Sequence, residues 1–304
     1  MALEGLRQRV AAPLLSMDEP APRAFFAFNL SQSPAMIKKA LKHLIMEEGS
    51  QRIHDLDSAE SYAAHREIFD RKPFLKEIYR SYFDDMLGGM GELSGKTIVE
   101  LGAGAFNISD RVEGAIPTNS AANEFIKVAA RAEELPFGDG TLDGIVMINT
   151  LHHVRRPKAF FEEASRTLKE GGMLAMIEPY FSLLGGLIYR RLHHEPVFET
   201  PANWEIPKSR GGAPCSSNQI MPYHIFTRDA ELFKREFPEL RLIRVAPHGF
   251  ITHLLSGGIT YKSVIPKRLE KSSMKLDKAL SPLLGRFLAV FMTVVVVKEG
   301  ERAC

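Results

Sequence analysis

Short apolar runs alternate with helical stretches in the middle of the chain, and this alternation limits the possible folds more than any other feature. The runs are 96–101 (KTIVEL), 142–148 (LDGIVMI) and 173–177 (MLAMI), and a helix-periodic segment, 157–168, separates the last two. Strands and helices that alternate at this spacing form βαβ units with a parallel sheet. We therefore predict an α/β protein with a doubly wound, mainly parallel sheet that carries helices on both faces.

The N-terminal part has a different pattern. Prolines break up 1–34, and helical periodicity then covers 35–48 and 58–90, with an interruption at Pro73. Segments of this kind form separate helices rather than part of a sheet. We expect residues 1–92 to form an N-terminal extension and a helical cap over the ligand-binding edge of the sheet.

The remaining residues, 93–300, form the predicted α/β domain. Within it, 180–225 is rich in Gly, Pro, His and Asn, which is typical of an insertion after the fifth strand. Two further apolar runs, at 240–247 and 289–297, then predict the last two strands.

Charge balance and cysteine count exclude several classes of protein. Lys and Arg number 39 against 37 Asp and Glu, a net charge of +2, so no global positive field favours nucleic acid. Two cysteines, Cys215 and Cys304, are too few for a disulfide framework or a four-thiolate zinc site. The most apolar run, 287–297, is shorter than the roughly 20 residues of a bilayer span. We expect a cytoplasmic protein that binds no nucleic acid.

A glycine loop follows the first predicted strand. It reads Gly102-Ala103-Gly104, and glycine lets a ligand approach the backbone because no Cβ intervenes. The loop lacks the Gly-Lys-Ser/Thr of a phosphate-binding loop, and Asn107 stands where a dinucleotide fingerprint has its third glycine. The loop alone leaves two interpretations open, a plain tight turn and a ligand-binding loop at the carboxyl edge of the sheet.

Three further motifs follow the loop in order: 132–137 (AEELPF), 151–154 (LHHV) and 168–172 (LKEGG). Together with the loop, they resemble the class I S-adenosylmethionine-dependent methyltransferases, in the methyltransferase type 11-like group. The resemblance covers 98–179 and implies a Rossmann-like methyltransferase fold with seven strands. It also implies S-adenosylmethionine as the cofactor and methyl transfer to a small-molecule acceptor, such as a sugar, a secondary metabolite or a lipid-linked compound.

The resemblance assigns roles to individual residues. Glu100 would contact the amino group of the methionine part, and Gly102, Ala103 and Gly104 would lie along the methionine and ribose. Asn119 would lie at the ribose, and Ala132 and Glu133 near the adenine. Asn149 would lie beside the methyl group. His152 and His153 would begin the substrate side.

Two positions depart from the family pattern. Asn119 replaces the acidic residue that accepts hydrogen bonds from the ribose hydroxyls, and Arg131 replaces the Asp that contacts the adenine amino group. Because a guanidinium only donates, we expect Arg131 to turn away from the adenine or to pair with Glu133 or Glu134. The departures leave an alternative function open, a degenerate methyltransferase fold that serves as a non-catalytic binding or regulatory subunit. A third possibility is a pocket that holds a different ligand.

Histidines supply the candidate catalytic groups, because imidazole titrates near neutral pH. The candidates are His152, His153, His193, His194 and Glu195. The last three suit a general base or a substrate contact, and a structural polar loop is the alternative. His152 and His153 could instead cap a helix and pack. The adjacent His193 and His194 point in different directions on a regular element, unlike the pair in H-E-x-x-H, so we expect no metal site.

A basic stretch covers 262–286, with seven positive residues against Glu270 and Asp277. One interpretation is a solvated helix face. The other is peripheral contact with an anionic membrane surface or with a phosphorylated substrate.

Overall fold

The computed structural model describes residues 45–53, 58–193, 195–207 and 217–300. Most of the helix expected over 35–48, and all of 1–34, lie outside these residues. The described part forms one compact unit. No helix in it is long and apolar enough to cross a bilayer. Its strands are β1 (Ile98–Leu101), β2 (Ile116–Asn119), β3 (Val128–Ala129), β4 (Leu142–Ile148), β5 (Leu168–Pro179), β6 (Leu240–His248) and β7 (Phe291–Lys298).

The helices surround this sheet. They are α1 (Ala59–Arg71), α2 (Pro73–Leu87), α3 (Pro157–Thr167), α4 (Leu183–Arg191), α5 (Met221–Tyr223), α6 (Ala230–Glu236), α7 (Thr252–Ser256) and α8 (Glu270–Leu288). The break expected at Pro73 separates α1 from α2. Proline is favourable at the first position of α2, because the N–H that it lacks has no partner there in any helix.

The seven strands form one sheet in the order β3-β2-β1-β4-β5-β7-β6. Strands β1 to β5 are parallel, and β7 is antiparallel to both β5 and β6. This confirms the predicted doubly wound, mainly parallel sheet and the Rossmann-like methyltransferase fold. The direction of winding reverses between β1 and β4, so the ends of these two strands form the topological switch point where such sheets bind ligands.

Each face of the sheet carries its own apolar core. On one face α2 contributes Phe83 and Met86, which lie in one cluster with Val146 of β4. On the other face Phe160 and Phe161 of α3 lie in one cluster with residues of β4 and α6. The strands between them, β4 and β5, are buried almost throughout, which accounts for their continuous apolar sequences.

The first two crossovers are short. A single 3₁₀ turn, Ile108–Asp110, lies between β1 and β2, and no helix lies between β2 and β3. Helix α1 covers this region instead, with Phe69 stacked on Phe106 at 5.2 Å between ring centroids. Tyr62 of the same helix lies 6.2 Å from Phe125. Helix α1 is therefore in contact with the loops after β1 and β2.

Strand β5 is longer than the sequence pattern indicates. The predicted strand starts at Met173 after a Gly171-Gly172 turn, but β5 begins at Leu168, directly after α3. Its pairing with β4 is irregular between Leu168 and Met173, and Gly171 adopts a positive φ of 74° there. A bulge of this kind absorbs the extra residues without ending the strand. The division at residue 92 and the insertion at 180–225 stay predictions.

Candidate functional site

The loop after β1 is shaped by two glycines with different surroundings. Gly102 has a φ of 75°, and a Cβ on it would lie 2.2 Å from Oγ1 of Thr150. A Cβ on Gly104 would meet no atom within 4 Å, so this residue faces open space. The loop is fixed to β2, because the Ala103 N–H donates to the Thr118 carbonyl at 2.8 Å. Its open side is therefore a rigid surface that a ligand can approach closely.

A buried carboxyl group lies at the end of β1. Glu100 is 3% exposed, and its Oε2 accepts a hydrogen bond from the Ile108 N–H at 2.6 Å. Burial raises the pKa of Glu100 to about 8, although the Ile108 hydrogen bond acts in the opposite direction. A cation placed beside this carboxyl group would favour its ionised form.

Asn149, directly after β4, has an unusual backbone and an unsatisfied side chain. Its φ is 51°, and its N–H donates to the Ile177 carbonyl at 2.8 Å. The buried Oδ1 has no hydrogen-bond partner among the described residues. Unpaired buried acceptors are rare, so this oxygen is available to a donor on a ligand. The open Gly104 surface, the Glu100 carboxyl and the Asn149 oxygen fit the donor and cationic groups of S-adenosylmethionine.

The two departures from the family pattern have different structural roles. The Asn119 Nδ2 donates to the Ala103 carbonyl at 3.1 Å, so the amide joins the end of β2 to the glycine loop. Arg131 turns outward: 62% of its side chain is exposed, and its nearest carboxylate is Glu133 at 3.8 Å. Ala132 packs against the core beside β2. The cofactor roles of these residues stay predictions.

A buried carboxylate at the end of β5 organises the chain that follows β4. Oε1 of Glu178 accepts from the N–H groups of Thr150 at 2.8 Å and Leu151 at 2.6 Å. Its Oε2 lies 2.7 Å from Nδ1 of His152. His152 therefore carries its proton on Nδ1 in this contact, which leaves Nε2 directed to the other side.

On that other side, two imidazoles meet one carboxylate. Nε2 of His152 lies 3.3 Å from Oε2 of Glu195, and Nε2 of His153 lies 3.6 Å from Oε1. Burial lowers the pKa of His152, but Glu178 and Glu195 outweigh this effect and raise it to about 9. Burial also raises the pKa of Glu195, and the neighbouring histidines more than reverse that effect and bring it well below its usual range.

Three of the five predicted catalytic residues, His152, His153 and Glu195, therefore come together. His193 accepts a hydrogen bond from the Glu195 N–H through Nδ1 at 3.3 Å, and His194 lies outside the described residues. His152 and His153 lie on a 3₁₀ turn, with ring centroids 4.2 Å apart. The expectation that His193 and His194 point in different directions stays a prediction. Catalytic roles for these residues stay predictions.

Sequence reasoning missed two residues of this cluster. Glu178 carries the same signal as Glu100, an acidic residue at the carboxyl end of an apolar strand. Gln219, whose Nε2 donates to Glu195, carries no recognisable signal, because it lies far from Glu195 in the sequence.

A cavity of about 510 Å³ lies beside α4, next to the chain that leaves β5. Its lining is mainly apolar and aromatic, with two cationic groups, Arg190 and Arg191. A cavity of this composition suits a ligand with an apolar body and an anionic group.

Comparison with known proteins agrees with this architecture. Residues 103–176 match the family described as methyltransferase domain. No curated protein matches the sequence.

Several solved structures are similar. One, from Haloferax volcanii, is a putative methyltransferase in complex with the Trm112 methyltransferase activator. It is 13% identical to this chain. The match covers 84% of this chain and 100% of that chain, at a TM-score of 0.45. A possible histamine N-methyltransferase from Thermotoga maritima is 18% identical, with coverage of 77% and 99%, at a TM-score of 0.42. Geranyl diphosphate C-methyltransferase from Streptomyces coelicolor is 13% identical, with coverage of 80% and 87%, at a TM-score of 0.40.

The strand order is that of a Rossmann-like methyltransferase fold, and residues 103–176 within it match the methyltransferase domain family.

Proposed function

We propose that this chain transfers a methyl group from S-adenosylmethionine to a small-molecule acceptor bound at the carboxyl edge of the sheet. One observation carries the proposal. The open glycine loop, the buried Glu100 carboxyl and the unpaired Asn149 oxygen lie at the switch point, and the His152–His153–Glu195 cluster begins three residues beyond Asn149. The proposed site for the methyl donor and the polar side proposed for the methyl acceptor are therefore adjacent in the sequence after β4.

The residues on the donor side bind and orient. S-adenosylmethionine, when bound, supplies an electrophilic methyl carbon. The Glu100 carboxylate would accept from the amino group of the methionine part, and Gly104 would leave room for the chain beside it. The Asn149 Oδ1 would accept a ligand hydrogen bond that no described residue supplies. The main contribution of such residues is to hold the two bound molecules close together, in the orientation that the transfer needs.

The acceptor would lie against the histidine cluster. His153 is the more accessible imidazole, with 27% of its side chain exposed, whereas His152 and Glu195 are buried. The cavity beside α4 would hold the rest of the acceptor, with Arg190 or Arg191 near an anionic group. This arrangement favours an acceptor with an apolar body and a negative charge, such as a phosphorylated or lipid-linked compound.

Titration with S-adenosylhomocysteine tests the donor side. We expect wild-type protein to bind, and Gly104→Leu to lower the affinity by about tenfold or more, because the new side chain occupies the open surface. Gly104→Ala serves as the matched control, since a single methyl group meets nothing there. No binding of the wild type at millimolar ligand would reject the enzyme function.

A non-catalytic subunit is the second candidate. The observation that favours it is Asn119, whose amide nitrogen is used to hold the Ala103 carbonyl in place of an acidic ribose contact. Cofactor binding without transfer to any acceptor, in a chain that copurifies with an active partner, would support this function instead.

We also propose that α8 contacts an anionic lipid surface. Its outer face carries Leu276, Leu283 and Phe287, of which Leu283 is 71% exposed. Asp277 points inward, where it accepts from the N–H and Oγ1 of Thr252. Apart from Glu270 at the first position, the charged groups exposed on the helix are therefore basic: Lys271, Lys275, Lys278 and Arg286. An apolar stripe with a cationic rim suits adsorption to an anionic interface.

A further inference from the structure

The histidine cluster brings three possible metal ligands together. Its three ligand atoms, one each from His152, His153 and Glu195, all lie within 4.8 Å of one another. The two nitrogen–oxygen contacts measure 3.3 and 3.6 Å, longer than the roughly 2.7–2.9 Å of a charge-assisted hydrogen bond. Ligands bound to one tetrahedral ion at about 2.0–2.1 Å are separated by about 3.3–3.4 Å. The two nitrogen–oxygen separations, one to each oxygen of Glu195, are therefore close to the separation of two ligands on one ion.

The contacts behind these atoms are short and directional. Glu178 holds Nδ1 of His152 at 2.7 Å, which leaves Nε2 free of that contact and directed toward Glu195. Gln219 donates to Oε2 of Glu195, the oxygen that His152 also contacts. A carboxylate on the far nitrogen of a histidine, and a hydrogen bond on the coordinating carboxylate, are the outer contacts that orient metal ligands in proteins.

We propose that His152, His153 and Glu195 bind one divalent transition-metal ion, with Zn²⁺ as the best match, and that Glu178 and Gln219 orient these ligands. Two imidazole nitrogens and one carboxylate form a common ligand set for catalytic zinc. Three protein ligands leave a coordination position open, and the exposed part of His153 gives access to it. The site goes beyond methyl transfer, and its occupancy is measured without any cofactor.

The full-length chain, dialysed against a chelator, is titrated with Zn²⁺ alone by calorimetry and with Co²⁺ by visible absorption. We expect one ion per chain, with a cobalt spectrum typical of nitrogen and oxygen ligands. His153→Ala and Glu195→Gln should each lower the Zn²⁺ affinity by at least about tenfold, and Glu178→Gln by about 10- to 100-fold. His65→Ala, which changes a histidine on α1, should leave the affinity unchanged.

Two results would overturn the metal site. One is a wild-type chain that binds neither ion, and the other is equal Zn²⁺ affinity in His153→Ala and His65→Ala. Thermal unfolding with and without Zn²⁺ shows whether each variant is folded and whether it binds the ion. The folded wild type should gain stability from Zn²⁺, and a folded His153→Ala should not. Binding of S-adenosylhomocysteine, measured separately, shows whether the cofactor site fails together with the metal site or independently of it.

Discussion

Glu178 and His152 lie 2.7 Å apart, and their contact joins the end of β5 to the turn that follows β4. The same carboxylate accepts two backbone N–H groups from that turn, so one buried side chain fixes the backbone and an imidazole together. Because β4 and β5 are neighbours in the sheet, this contact sets where the histidine cluster stands relative to the glycine loop. The position of the proposed acceptor side therefore depends on a residue that makes no proposed contact with the acceptor.

Removing this carboxylate should destabilise the whole domain. Glu178→Ala leaves two backbone donors and Nδ1 of the buried His152 without a partner, and we expect the free energy of unfolding to fall by about 3–5 kcal/mol. Glu178→Gln should cost less, because the amide oxygen still accepts. Glu170→Ala, an exposed change on the same strand, should alter it by no more than about 0.5 kcal/mol. Urea denaturation measures all three, and equal stability of Glu178→Ala and Glu170→Ala would contradict this role.

Cofactor binding should release a proton from Glu100. With a pKa of about 8, this carboxyl is mainly protonated at pH 7 in the free protein. An ammonium group beside it favours ionisation, so the proton leaves on binding and the affinity increases with pH, by up to about tenfold per pH unit, until pH 8. Above pH 8 the carboxyl is already ionised, and the release disappears.

Calorimetry with S-adenosylhomocysteine at pH 7, in buffers of different ionisation enthalpy, measures this proton. The apparent heat should change with the buffer for the wild type, with close to one proton released. Glu100→Gln should lose this dependence. A wild type whose heat does not depend on the buffer would show that no cation binds beside Glu100.

The two glycines of the loop should respond differently to the same change. Gly102→Ala places a methyl group 2.2 Å from the Thr150 hydroxyl and imposes a left-handed backbone on alanine, so we expect a loss of about 3 kcal/mol or more. Gly104→Ala meets open space and should be close to neutral. Adding Thr150→Ala to Gly102→Ala should recover part of the loss. Thermal unfolding of the four proteins measures the effect, and equal losses at the two glycines would refute the steric account.

Much of this fold was predictable because its strands are short, buried and separated by clear turn signals. The bounds of β4 coincide with its apolar run, and β1 and β7 are predicted to within a few residues. Strand β3 has only two residues, too few to leave a periodic pattern. Pairing between β5 and β4 continues through a bulge at Gly171, where composition indicates a turn.

The site was less predictable, because its key contacts join distant parts of the sequence. The motifs locate the glycine loop and the histidine pair, but no local pattern shows that Glu195 folds back onto His152. At Asn119 the sequence shows only a missing acid. The structure adds that its amide nitrogen donates to the Ala103 carbonyl, a bond that a carboxylate is unable to make. Asn119→Asp therefore loses the hydrogen bond to the Ala103 carbonyl and gains a stronger acceptor for the ribose hydroxyls. Its effect on cofactor affinity is the sum of this loss and this gain.

The last prediction concerns the exposed stripe on α8. Leu283 and Phe287 are one helical turn apart and lie among basic residues, so the full chain should sediment with vesicles that contain phosphatidylserine but not with phosphatidylcholine alone. Added salt should weaken the binding, because the electrostatic part of the attraction is screened.

The double variant Leu283→Glu with Phe287→Glu should abolish vesicle binding, since two carboxylates would enter the apolar face. Ile243→Glu, at an exposed apolar residue on β6, should leave it intact. Equal sedimentation of the two variants, or a wild type that stays in solution with anionic vesicles, would leave α8 as an ordinary solvated helix.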